Sequence, residues 1–246
     1  MIYHCPICGK WCENYSQDYR NQMEMYRVKE LTIIDEWNAV PIPPAPELKS
    51  VTIDPETSAL LILDMETTIC KNPRCTASIS KISKILNKAR EMGMLVIYSL
   101  THAGSPSDIA LQIAPSPSDP VVKSNVDKFY RTNLEKILQE HGIKTVLITG
   151  YAANGAVLHT ATSAAFRGYD VIIPVDGMSA VVPYAEQYTA WHMINSPGTR
   201  NRATLTKVDL INFLPLETSY RHGIMNIHRN KQHKKVQGLS QKVNRS

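Results

Sequence analysis

The chain has 246 residues, 43% of them hydrophobic and 20% charged, with a formal net charge of +5. That length supports one sizeable domain with short extensions, and no apolar run is long enough to cross a bilayer. The charge does not mark a uniformly basic, nucleic-acid-binding domain: residues 221–246 hold seven Lys or Arg and no acid, and without them residues 1–220 carry −2.

Composition separates an amino-terminal extension over 1–50, a domain over 51–215 and a basic tail over 216–246. The extension opens MIYHCPICG, without the basic-then-apolar pattern of a leader, so a cytoplasmic protein with no membrane association is expected. Cys5-x-x-Cys8 followed by Gly9 has the form of a zinc-knuckle half, with Cys12 and His4 nearby. One half supplies too few ligands, and no bound metal or other cofactor is expected. The cysteines Cys5, Cys8, Cys12, Cys70 and Cys75 are odd in number, which argues against a disulfide framework in a reducing compartment. Val40–Leu48 (VPIPPAPEL) reads as an extended arm, because proline disfavours helix and central strand. The tail reads as solvated polypeptide. Nucleic-acid contact through it is not expected, since residues 221–246 offer no Phe, Trp or Tyr to stack on a base.

The middle of the chain alternates strand and helix patterns. Ala59–Leu63 is a short apolar run suited to a parallel strand covered on both faces. Ile79–Met92 has apolar residues on one helical face, followed by a strand at Met94–Leu100. A helix over Tyr130–His141 stops at Gly142, and a strand follows at Lys144–Thr149. A helix over Gly155–Arg167 closes at Gly168. Then come a strand at Asp170–Val175, an amphipathic helix at Tyr184–Ile194 and a last strand at Ala203–Thr206. Repeated βα units imply an α/β fold, a three-layer α/β/α sandwich with a mainly parallel sheet and ligands bound beyond the carboxyl ends of its strands.

Three ordered motifs carry a resemblance. They are LLILDME (Leu60–Glu66), VVKSNVDKFYRTNLEKIL (Val121–Leu138) and the turn GYAANGAV (Gly150–Val157). Over roughly Ser58 to Phe213 the chain resembles the isochorismatase-like cysteine hydrolase superfamily. That family has an aspartate in a hydrophobic-Asp-Met-Gln motif, a lysine some six residues before a Phe, and a cysteine in a Gly-x-x-x-Asn-x-Cys-Val turn. The resemblance assigns Asp64 to the aspartate, Lys123 to the lysine and Phe129 to the Phe, with Gly150, Asn154 and Val157 framing the turn. Ala156 then stands where the cysteine belongs. Lys128 is a rival for the lysine, but its spacing to Phe129 departs from the family pattern.

Asp64 ends an apolar strand, where partial burial raises a carboxyl group's pKa and suits it to proton transfer; the alternative is a loop cap. Lys123 would hold Asp64 ionised or meet negative charge on a substrate. A methyl at 156 cannot form an acyl-enzyme. The resemblance implies a route without one, since members that hydrolyse vinyl ethers carry a small residue there and use the aspartate as a general acid, with water attacking. Glu66, Thr101, Tyr151, Ala152 and Gly155 complete the expected substrate-binding set, with a non-proline cis peptide implied at Tyr151–Ala152. Those relatives have glutamine where this chain has Glu66 and Thr101. Cys70 and Cys75 read as small, partly buried thiols rather than a relocated nucleophile, His159 as a buried, hydrogen-bonded residue, and Asp176 in PVDGMSA as a turn-bonding structural residue. Tyr184, Tyr188 and Trp191 share a helical face suited to core or subunit interface, and a homo-oligomer is expected.

The expected function is hydrolysis of a small polar molecule by Asp general acid/base chemistry. The alternative is a catalytically inactive pseudoenzyme, or a chain whose cysteine was replaced by alanine in a C–N (amide or ureide) hydrolase.

Overall fold

The computed structural model describes Tyr3–His4, Trp11–Cys12 and residues 32–215. The chain divides into two units near Pro44. In the first, β1 (Tyr3–His4) pairs antiparallel with β2 (Trp11–Cys12), and a single helical turn, α1, spans Ile33–Glu36. The knuckle cysteines Cys5 and Cys8 and the basic tail lie outside the described residues.

The second unit is built on seven strands paired in parallel. These are β4 (Ser58–Leu63), β5 (Leu95–Leu100), β6 (Val121–Lys123), β7 (Thr145–Tyr151), β8 (Asp170–Pro174), β9 (Met178–Ser179) and β10 (Ala203–Thr206). The spatial order is β10-β8-β7-β4-β5-β6, with β9 joined to β7. Every residue of the central β4 is buried, which explains its unbroken apolar run: a strand covered on both faces has no solvent side to mark.

Side chains alternate between two cores. Ala59, Leu61 and Leu63 face a cluster that includes Leu134 and Leu138 of α3 (Leu134–Glu140), Ala161 and Ala164 of α4 (Leu158–Phe166), and Ala185 and Met193 of α5 (Pro183–Asn195). Leu60 and Ile62 face the other, with Ile82, Ile85 and Leu86 of α2 (Pro73–Glu91). Two cores on one sheet make the expected three-layer sandwich. A short parallel pair, β3 (Val51–Ile53) with β11 (Ile211–Phe213), lies on the α2 side. From β4 the chain winds outward through β5 and β6, then returns to β7 and winds the other way. The switch point, where such sheets bind ligands, therefore falls between the carboxyl ends of β4 and β7.

Element ends depart from the pattern where polar residues act. Helix α2 starts at Pro73, ahead of its first apolar residues. Asn72 Oδ1 accepts from Cys75 N at 3.0 Å, and proline suits the first helical position. Helix α3 starts only at Leu134, because Arg131 is left-handed (φ +55) and Thr132 Oγ1 accepts from Leu134 N at 3.2 Å. The expected Gly155–Arg167 helix begins as a wide turn, Ala153–Val157, before α4 proper. Strands β3, β6, β9 and β11, of two or three residues each, were too short to stand out in the sequence.

Candidate active site

The strand β4 is apolar to its last residue, and the next side chain, Asp64, emerges at the carboxyl edge only 6% exposed. A buried carboxylate needs partners. Oδ1 accepts from Ser99 Oγ at 2.7 Å, and Oδ2 accepts from Lys128 Nζ at 2.7 Å. Ser99 pairs in register with Leu63, so parallel pairing alone sets its hydroxyl beside the next residue's carboxyl. Asp64 N donates to Ser99 O at 3.1 Å, and its φ of +49 is a left-handed conformation uncommon outside glycine. Such a residue costs on the order of 1 kcal/mol and persists only where its surroundings fix it.

Lys128 is fully buried. Its three ammonium protons meet three acceptors: Asp64 Oδ2, Ser124 O at 3.1 Å and Asn125 O. Burial pushes the Asp64 carboxyl above its ordinary value; Lys128 and Ser99 pull it back, and the nearby Glu66 charge adds to the rise. The carboxyl thus holds its proton to higher pH than a solvated aspartate.

Leu63 also pairs with Gly150 of β7. Beyond Gly150 the Tyr151–Ala152 peptide is cis, and Val157 N donates to Ala152 O at 3.2 Å across the wide turn. Ala156, 3% exposed, is buried in that turn. Thr160 stands one helical turn further on the same face, with Oγ1 accepting from Lys128 N at 3.1 Å. Ser163 Oγ donates to Asp127 Oδ2 at 2.6 Å. The helix that follows Ala156 therefore pins the loop that delivers Lys128.

The family model for the isochorismatase domain matches residues 58–206. The secreted isochorismatase effector Isc1 of Verticillium dahliae is 30% identical over 142 residues, 52% of this chain and 75% of Isc1. The chain belongs to the isochorismatase family. Within that family it is also similar to the N-carbamoylsarcosine amidase of Arthrobacter, at 34% identity over 88 residues, 35% of this chain and a third (33%) of that protein. The crystal structure of N-carbamoylsarcosine amidase from Thermoplasma acidophilum superposes with a TM-score of 0.54 at 25% identity, covering 62% of this chain and 97% of the other.

The isochorismatase fold places the expected residues unequally. Lys128, not Lys123, supplies the ammonium at Asp64. Lys123 is exposed at the end of the edge strand β6, and its Nζ donates to Gly104 O at 2.6 Å. Strand β6 lies two strands from β4, so a lysine at its end cannot replace one that folds back from the following loop. Glu66 is fully buried, and its carboxylate is taken up by Thr101: Oε1 accepts from Thr101 N at 2.6 Å and Oε2 from Thr101 Oγ1 at 2.9 Å. Glu66 and Lys123 thus hold the 101–104 loop from its two ends. Thr101→Val removes one donor from a buried carboxylate and is expected to cost about 2 kcal/mol, measured as a lower denaturation midpoint; Ser118→Ala, at an exposed site, serves as the neutral control.

Other side chains fall differently from their sequence reading. Cys70 and Cys75 are joined in a disulfide, not held as thiols. His159 is exposed on α4 rather than buried. Asp176 does bond backbone, accepting from Val208 N at 2.9 Å, but in another segment rather than its own turn. Tyr184, Tyr188 and Trp191 are 72%, 40% and 44% exposed, while Ala185, Thr189, Ala190 and Met193 form the inward face of α5, so the aromatic residues are not core. Ser99 is absent from the residues expected from sequence, although the single serine in the run Leu95–Leu100 is a usable signal. Asn72, whose Nδ2 donates to Tyr151 OH at 3.3 Å, gave none. Among the described residues no three His, Cys, Asp or Glu side chains are grouped as metal ligands would be, and no helix is long and apolar enough to cross a membrane.

Proposed function

We propose that this chain hydrolyses a small polar molecule, with the Asp64 carboxyl as general acid/base and water as the nucleophile. The observation that carries the reading is the buried Asp64, held by Ser99 and Lys128 with its proton affinity raised by burial. A carboxyl whose proton affinity is raised by burial can deliver its proton to a leaving group or an unsaturated carbon and take it back. Lys128 keeps the ionised form tolerable afterwards, so the group can cycle between its two states. Ala156, which the motif resemblance sets at the position of the family cysteine, offers no thiolate. A methyl there excludes an acyl-enzyme, which leaves water as the nucleophile. The amidases among the relatives place hydrolysis within the family's range. The Cys70–Cys75 disulfide and the secreted relative Isc1 fit an oxidising compartment better than the cytoplasm expected from the sequence.

The test is turnover of a panel of amides, ureides and vinyl ethers by the wild type and by Asp64→Asn. Asparagine keeps the shape but cannot give up or take the proton, so kcat should fall about 10²- to 10⁴-fold. Turnover unaffected by Asp64→Asn removes the proposal. Saturable binding without turnover across the panel would assign a ligand-holding role instead.

A further inference from the structure

The segment that leaves Asp64 returns to the far side of the site through the two cysteines. After Glu66 the chain turns tightly, with Ile69 N and Cys70 N both donating to Glu66 O at 3.0 and 2.8 Å. The Cys70–Cys75 bond then closes a loop containing Asn72, with the two Cα atoms 5.4 Å apart. Asn72 uses both ends of its amide: Oδ1 caps α2 at Cys75 N, and Nδ2 reaches Tyr151 OH. Tyr151 opens the turn that carries Ala152 and Ala156. One short path therefore runs from the disulfide through Asn72 to the turn beside Asp64.

We propose that Cys70–Cys75 is an exchangeable redox clasp that positions Tyr151 and its turn, opened by a small dithiol. The two sulfurs are not equivalent. Both are buried, Cys75 completely and Cys70 with 6% of its surface showing, next to the exposed Ile69 and Lys71 through which a small dithiol would reach it. A thiolate of the dithiol attacks Cys70 Sγ; the S–S bond breaks, and its electron pair leaves on Cys75 Sγ. Cys75 is the third residue of the 19-residue α2, where the helix dipole favours developing negative charge. The dithiol's second thiolate then attacks the dithiol's first sulfur, now bonded to Cys70 Sγ; that bond breaks and its electron pair leaves as the Cys70 thiolate. The dithiol is oxidised to a cyclic disulfide, the protein gains two electrons, and solvent supplies protons to both cysteines. With the loop no longer closed, Asn72 is held only by hydrogen bonds, and the contact to Tyr151 loosens.

The clasp is tested on the full chain in dithiothreitol buffers of graded redox ratio, with rapid alkylation and peptide mass spectrometry at Cys70 and Cys75. Hydrogen exchange is followed in parallel in the peptide covering 145–157. Alkylation should appear at both cysteines together as the ratio becomes reducing, with exchange at 150–157 at least tenfold faster and β8 and β10 unchanged, as for a local opening. Asn72→Ala should give the same faster exchange in the oxidised protein, with no further change on reduction. The double variant Cys70→Ser/Cys75→Ser should match the reduced wild type. Cysteines that alkylate without reductant, exchange at 150–157 that ignores reduction, or loss of protection spread through β8 and β10 would each overturn the clasp. None of these readouts is turnover, so the result stands apart from the hydrolase proposal.

Discussion

Replacing Lys128 by methionine is expected to lower stability at pH 7 by about 3–5 kcal/mol, the cost of leaving one member of a buried ion pair without the other. Lys123→Met should cost about 1 kcal/mol, because it removes a single hydrogen bond from a partly exposed ammonium. The contrast identifies which lysine serves Asp64. The pH dependence sharpens it. The folded-state carboxyl of Asp64 titrates above its unfolded value, near 3.8, so the native chain binds this proton more tightly than the unfolded one. Its contribution is therefore most favourable at acid pH and is lost as pH rises from the unfolded value through the raised folded one. Methionine at 128 takes away an interaction that pulls the folded value down, so this window extends upward. In urea denaturation the gap between wild type and Lys128→Met should be smallest at acid pH, open once pH passes the raised folded value of the wild type, and stop growing above the still higher value of the variant. A gap independent of pH would mean that Lys128 matters for packing and not for the charge on Asp64.

The framework was legible because fully buried parallel strands announce themselves: Ala59–Leu63 and Val146–Ile148 have no polar side to interrupt the apolar run. Asp64 was legible for the related reason that it is the first charge after such a run. The choice between Lys123 and Lys128 was not, because both stand in one polar segment and spacing does not encode burial. What decides it is the fold of the 124–130 loop, where Ser124 Oγ donates to Asp127 O and Tyr130 O, and Asp127 is fastened to Ser163 of α4. The first two bonds shape the loop locally, and the last is a tertiary contact between residues 36 apart in sequence. The face of α5 was misjudged by size. Aromatic residues look like core, yet small residues let a helix lie close to its neighbour, and Ala185, Thr189 and Ala190 take the inward side. The disulfide was hidden because five-residue spacing is no motif. The cap at Asn72 and the turn at Glu66 bring the two cysteines together. Closing so short a loop stabilises the fold by about 2 kcal/mol in the chain-entropy picture.

Gly150→Ala is expected to be as damaging as the loss of Lys128, for a reason unrelated to charge. A Cβ at Gly150 would lie 2.1 Å from Leu63 O and 2.7 Å from Leu63 N, the backbone of the neighbouring strand, which has no flexible end to yield. Its φ of +128 adds a conformation that L-residues rarely adopt. Left-handed backbone alone costs about 1–2 kcal/mol, and forcing strands apart in a close-packed sheet adds about 1–3 more. Gly93 separates the two effects: its φ is +64, yet a Cβ there meets nothing within 4 Å. Gly93→Ala should therefore lose only the backbone part, about 1 kcal/mol, while Gly150→Ala loses about 4 kcal/mol. Chemical denaturation of the two variants side by side checks the difference. The consequence reaches the site, because Leu63 is the residue before Asp64 and pairs with both Ser99 and Gly150. Moving β7 from β4 at this register shifts the Ala156 turn away from the carboxyl, so Gly150→Ala protein that still folds should lose turnover beyond what its stability explains. Equal losses at Gly150 and Gly93 would show that the close strand approach is not what requires glycine.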